Sequence, residues 1–307
     1  MIDKAAPHRI GLEGAPVRDA SQLILEVGIA VGVLSLCALC VVDVRALAAR
    51  SVQVDNTLAR TPAIQALRVA FLVVVIGIFP RPQSMPVAWR RAVNTACAML
   101  ACSVCGDVYG ALSDAGVVPD VVASLGVIDS VERRILRLAS MAARAVPLLT
   151  LLAARETISV RRPMTSFDAA SPRPLEVLLW LEPYLFVVGT STLATILAAA
   201  AFVRLELAWA APLGVDTALA GCAAAAVRAH RRRDPGALLG WLAVVVSMVM
   251  GLFMGGYAFG GPLPAPAAIG DYRTLTRTLL RDAHIALLSL GVLCIAFTIS
   301  RLPRSTA

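Results

Sequence analysis

Residues 237–259 read ALLGWLAVVVSMVMGLFMGGYAF, a run without one charged side chain. As a helix rising 1.5 Å per residue it is roughly 35 Å long, enough to cross the ~30 Å hydrocarbon core of a bilayer. Its apolar residues fall on every face, which suits lipid rather than the one-sided burial of a surface helix in water. Just upstream lies RAHRRRDPG (228–236), four arginines running into a proline turn. Basic residues flanking an apolar span are retained on the cytoplasmic side, and Asp-Pro-Gly separates one helix from the next.

Seven further runs repeat the pattern. The expected spans are 21–42, 63–80, 92–112, 135–154, 177–203, 207–227, 237–259 and 283–300. The fold class is therefore an all-α, polytopic integral membrane bundle of about eight transmembrane helices with short loops. Residues 1–20 form a cytoplasmic N-terminal segment, 21–300 a single transmembrane domain and 301–307 a cytoplasmic tail. Arg137 and Arg144 interrupt the fourth span, which reads alternatively as an amphipathic helix lying in the interface. PRP (80–82) closes the second span and GGPLPAP (260–266) the seventh, because proline lacks an amide donor and disfavours a helical residue before it. In DYRTLTRTLLRDAH (271–284), Arg273, Arg277 and Arg281 recur every four residues, the spacing of an interfacial helix leading into the eighth span.

Composition agrees. The chain is 58% hydrophobic and 16% charged, with mean hydropathy +0.78, whereas a soluble domain is nearer half apolar and a quarter charged. The net charge of +8 would suggest nucleic acid in a soluble protein. Here the arginines lie between apolar runs, where they set topology and meet anionic headgroups. The bilayer is the expected partner and nucleic acid is not. Alternating outward from 228–236 puts the N-terminus, 81–91, 155–176 and the C-terminus on the same side. Those five segments carry 16 Lys and Arg against 9 in the opposite ones, so a multi-pass cell-membrane protein with both termini cytoplasmic is expected. In the first 20 residues Lys4, Arg9 and Arg18 balance Asp3, Glu13 and Asp19, unlike the positive start of a cleavable signal peptide. No phosphate-binding loop, dinucleotide fingerprint or zinc-protease motif occurs. Of His8, His230 and His284 only the last falls in a span, which argues against a haem held by two histidines. No cofactor is expected.

The polar residues inside the spans are the candidates for function, since an ionisable side chain in hydrocarbon costs a few kcal/mol unless it faces protein or water. Asp216 lies mid-span behind Pro212 and Gly214, where a kink is expected, and Arg144 lies at similar depth in the fourth span. The two read as a buried ion pair, serving either as a structural clamp or as part of a proton or solute path. Glu182 precedes Pro183, and Thr190, Ser191, Thr192 and Thr195 follow. That combination suggests a proline-broken helix with a cation or substrate site; otherwise the hydroxyls bond their own helix and Glu182 snorkels outward. Asp107 near the end of the third span joins the candidate path, and Glu26 in the first span has a depth like that of Glu182. Cys37 with Cys40, and Cys102 with Cys105, form two CxxC pairs. At i, i+3 on a helix each pair shares a face and offers soft-metal or redox chemistry, although packing of small residues is the preferred use. Gly251 with Gly255, and Gly256 with Gly260, have the GxxxG spacing that lets two helices approach closely. Oligomeric state is left open.

Cys105, Arg133 or Arg134, and His284 on about eight spans loosely resemble the exosortase family of membrane transpeptidases. The resemblance implies a cysteine nucleophile with a histidine partner at the outer face, and it rests on scattered residues. Cys105 is followed by GDVYG where the family has a small-residue motif, and the asparagine-containing segment before the family arginine is missing. Three readings follow: a transporter or permease passing a small solute or proton, an outer-face enzyme using Cys105 and His284, and a non-catalytic membrane subunit or scaffold.

Overall fold

The computed structural model describes residues 20–49, 54–79, 85–114, 116–117, 130–159, 174–201, 211–259 and 272–301. Among them every regular element is a helix, and eight follow in chain order: α1 (Ala20–Ala48), α2 (Val54–Ile78), α3 (Val87–Asp114), α4 (Ser130–Ser159), α5 (Pro174–Ala201), α6 (Ala211–Arg231), α7 (Pro235–Phe259) and α8 (Tyr272–Arg301). The expected spans overlap these helices one for one. Four stretches are long and apolar enough to cross a membrane, namely Ala20–Ala48, Pro174–Ile196, Pro235–Leu252 and Thr278–Arg301, and Pro62–Ile78 is a shorter apolar helix. Large apolar side chains are exposed around the bundle, among them Leu34, Val44, Ile76 and Val188. A protein in water avoids so much exposed apolar surface; a helical membrane bundle presents it to lipid.

Burial along α1 is periodic although its apolarity is not. Leu25, Gly28, Gly32, Ser35, Leu39, Val42 and Ala46 are buried, alternating steps of three and four that define one seam. Its antiparallel neighbour α2 buries Arg60, Ala63, Leu67, Ala70, Val74 and Gly77 at the same steps. This is the seam of left-handed, knobs-into-holes packing. Glycines bring the helices close: a Cβ at Gly28 would lie 2.9 Å from the Val74 amide, and one at Gly77 2.7 Å from that of Leu25. Two further pairs close in the same way, α5 with α6 through Gly189 and Gly214, and α7 with α8 through Gly240 and Gly291.

The fourth helix is the centre of the bundle. Every residue from Val146 to Ala154 is buried, and α4 packs against α2, α3, α5, α6, α7 and α8. The alternative of an interfacial helix is thus corrected. Its arginines made it look least like a membrane span because hydropathy assumes lipid around a helix, whereas protein surrounds this one. Two other expectations are also corrected. The segment read as a separate interfacial helix (271–284) is the first part of α8, continuous from Tyr272 to Arg301; neither proline nor glycine interrupts it before Gly291. And α5 runs unbroken through Pro183, so no discontinuous helix forms there.

Candidate functional site

At the arginine-rich end of the bundle, four helices bring polar side chains into the interior, three of them charged. Glu156 comes from the last turn of α4, Glu182 from the first half of α5, Arg228 from the last turn of α6 and Trp241 from the second turn of α7. All four are buried. The Arg228 guanidinium donates through Nη1 to Glu182 Oε1 and through Nη2 to Glu156 Oε2 at 3.0 Å. The Trp241 indole N–H donates to the same Glu156 oxygen at 2.7 Å. Arg232, half-buried just beyond α6, reaches Glu156 Oε1 at 3.4 Å from the rim.

The local sequence explains why the arginine can lie inside. RAHRRRDPG is the end of one helix, a turn and the start of the next. Arg233 adopts the left-handed conformation, φ 56°, which commonly ends a helix. The Asp234 carboxylate then accepts the Ala237 amide at 3.0 Å, an N-cap with proline in the first turn behind it. Helix α6 therefore continues to Arg231, and its alanine-rich inner face (Ala224, Ala225, Ala229) leaves room for the long Arg228 side chain to turn inward. The reading of 228–236 wholly as a loop is corrected on this point: Arg228 is part of the core.

One fully buried cation faces two buried carboxylates. Arg232 supplies the second positive charge only from the edge. A buried ion pair survives when its remaining hydrogen-bonding capacity is met, and here Trp241 and Arg232 meet that of Glu156. Glu182 has Arg228 as its ion-pair partner.

Of the residues selected from sequence, Glu182 belongs to this cluster; it is paired inside rather than snorkelling outward. Thr190 and Thr195 donate to the carbonyls of Phe186 and Ser191 in their own helix. Asp216 is exposed on α6 and makes no ion pair with Arg144, which is half-buried on α4. The expectation of a buried Asp216 paired at mid-depth is corrected by this exposure; residues 202–210, just before α6, lie outside the described residues. Glu26 accepts from Gln22 at 3.1 Å. The side chains of Asp107, Arg133 and Arg134 lie outside the described residues.

Cys37, Cys40, Cys102 and Cys105 are free and exposed on α1 and α3, helices with no substantial shared interface. They point out of the bundle, so the packing role expected for them is corrected as well. Among the described residues no group of three or more His, Cys, Asp or Glu is placed to hold a metal. His284 instead meets α7: Nδ1 donates to the Ser247 carbonyl at 2.7 Å, and Ser247 Oγ donates to the His284 carbonyl at 3.0 Å. Gly251 lies against the imidazole, where a Cβ would stand 3.0 Å from Cε1. Cys105 faces outward while His284 is engaged with α7, so the structure does not unite them as nucleophile and base. Gly260 lies outside the described residues, as do the side-chain surroundings of Gly255 and Gly256.

Sequence reasoning did not select Glu156, Arg228 or Trp241. The available signal was slight: Glu182 stood in an apolar run without a cation beside it, and an arginine stood at the end of an alanine-rich helix. The chain matches no protein-family model, no curated protein and no solved structure.

Proposed function

We propose that this membrane protein is permease-like, passing a proton or a small cationic solute through the bundle at the Glu156–Glu182–Arg228 cluster. The observation that carries this reading is two buried carboxylates sharing one buried guanidinium. Such a set has one negative charge more than its inner cation neutralises, the second cation, Arg232, standing at the rim. Taking up a proton or cation at either carboxylate balances it, and releasing that cation returns the guanidinium to both. Buried ionisable groups within a membrane bundle serve as relays of this kind. Glu182 is the exchanging group in this scheme, because Glu156 is additionally held by Trp241 and Arg232. Asp216, exposed on α6, is not a member of the cluster.

The test is flux in proteoliposomes carrying a pH gradient and an internal pH dye, with small organic cations as alternative loads. Wild type dissipates the gradient or accumulates one of the cations; Glu182→Gln lowers the rate at least tenfold; Asp216→Asn leaves it unchanged. A purely structural clamp gives the opposite result, with wild-type vesicles no leakier than empty ones or Glu182→Gln equal to wild type.

A further inference from the structure

A second charged cluster of the same composition lies toward the other end of the bundle. Arg60 of α2 is buried. Its Nη2 is 2.7 Å from Asp43 Oδ1 of α1 and its Nε is 2.5 Å from Asp282 Oδ2 of α8. Arg281, exposed at the rim, reaches Asp282 Oδ1 at 3.1 Å. Each cluster therefore has one buried arginine, two carboxylates from two other helices and a second arginine at the edge.

Helix register places the two at different depths. α8 runs antiparallel to α7, with Gly291 beside Gly240 and Thr298 beside Gly236. Trp241, and with it Glu156, is thus level with about residues 291–295 of α8. Asp282 lies some ten residues back along that helix, roughly 15 Å at 1.5 Å per residue. α1 agrees, because Gly32 packs against Leu293 while Asp43, eleven positions on, sits at the Asp282 level. The interior between the clusters is partly polar. Ser247 and His284 bond each other there, and the Ser289 hydroxyl is buried without a hydrogen-bond partner. Ser289 stands two turns from Asp282 on the same face of α8.

We infer that the Arg60–Asp43–Asp282 cluster is a second ionic gate, opposed to the Glu156–Glu182–Arg228 cluster across one path, and that the two open in alternation. The inference rests on the permease reading. It adds that Arg60, Asp43 and Asp282, which neither the apolar pattern nor the first cluster explains, control access from the other side. An ion-paired arginine closes a helix interface while both carboxylates are charged. Neutralising one of them frees an arm of the guanidinium and lets α1, α2 and α8 part at that end.

The test uses a full-length variant in which all seven cysteines are replaced by alanine and Ser289→Cys is introduced, shown first to retain wild-type flux. Proteoliposomes of sorted orientation are treated with a charged, membrane-impermeant methanethiosulfonate on one side at a time. Arg60→Gln and Asp282→Asn are expected to raise labelling of position 289 about tenfold from the side of Arg60, and Glu182→Gln to raise it from the opposite side. Arg60→Lys should restore the parent rate. Should Arg60→Gln fail to fold, Asp43→Asn, at the half-buried member, carries the same expectation. Flux in the parent with labelling unchanged by all the Arg60-cluster variants overturns the second gate alone. Wild type without flux overturns the permease reading, and this inference with it.

Discussion

Glu156 and Glu182 reach one guanidinium from different helices, α4 and α5, while Arg228 itself belongs to α6. Three helices are thus tied at a single buried point, and removing the shared cation would leave Glu182 without its ion-pair partner and Glu156 with only Arg232 at the rim. Breaking a buried pair by deleting one partner costs about 3–5 kcal/mol. Arg228→Met should therefore lower unfolding free energy in mild detergent by about that amount. Adding Glu156→Gln and Glu182→Gln to it should recover most of the loss, because no buried carboxylate of the cluster is then left charged. Denaturant titration of wild type, the single and the triple variant checks this; a triple variant no better than the single one would show that the arginine stem, and not the charge balance, holds the helices.

Trp241 makes a separable contribution. Its indole donates to a charged oxygen of Glu156, and hydrogen bonds to charged groups contribute about 1.5–3 kcal/mol. Trp241→Phe keeps an aromatic ring in the buried site and removes the donor. A loss in that range on the same titration is expected, with flux reduced less than in Glu182→Gln, since the indole bonds Glu156 and not the exchanging carboxylate.

The contrast between what was legible and what was not has one physical source. Apolar runs mark helices by length, so each of the described helices was visible, and Pro235 and Asp234 marked the start of α7. Length and hydropathy do not say which face of an apolar helix meets protein. Asp216 looked buried because its run was apolar, yet it is exposed on α6. Arg228 looked solvated because three arginines follow it, yet it turns inward. The seam of α1 was written in its small residues, Gly28, Gly32 and Ser35, and not in hydrophobicity. The charged cluster was illegible because its members come from four helices, and only packing shows that they meet.

The four outward cysteines give a prediction about surroundings. Cys37, Cys40, Cys102 and Cys105 are exposed on the bundle, and in a bilayer they are expected to meet lipid tails. A lipid-soluble maleimide should modify them in proteoliposomes, and a charged maleimide should not until detergent is added. Zinc should bind no more tightly to wild type than to a variant with all four replaced by alanine. Mass spectrometry of labelled peptides reads the first expectation, and titration with a zinc indicator the second.

Close helix packing yields the sharpest steric expectation. At Gly240 a Cβ would lie 2.9 Å from the Gly291 carbonyl oxygen and 2.7 Å from Ile295 Cγ1; at Gly291 a Cβ would lie 2.7 Å from the Gly240 carbonyl oxygen and 3.1 Å from the Val244 amide. Backbone atoms cannot swing aside as a side-chain tip can, so a substitution must push α7 and α8 apart. Overpacking of this kind costs about 1–3 kcal/mol, and small residues are what allow backbones to approach in a membrane. Gly291→Ala should destabilise the protein within that range and Gly291→Val by more, since added methyls must fit the same closed space. Gly116 is the control: it has no atom within 4 Å, so Gly116→Ala costs only the strain of its positive φ of 71°. Thermal unfolding of the three variants in one detergent ranks them, and a Gly291→Val protein as stable as Gly116→Ala would mean that α7 and α8 do not meet through their glycines.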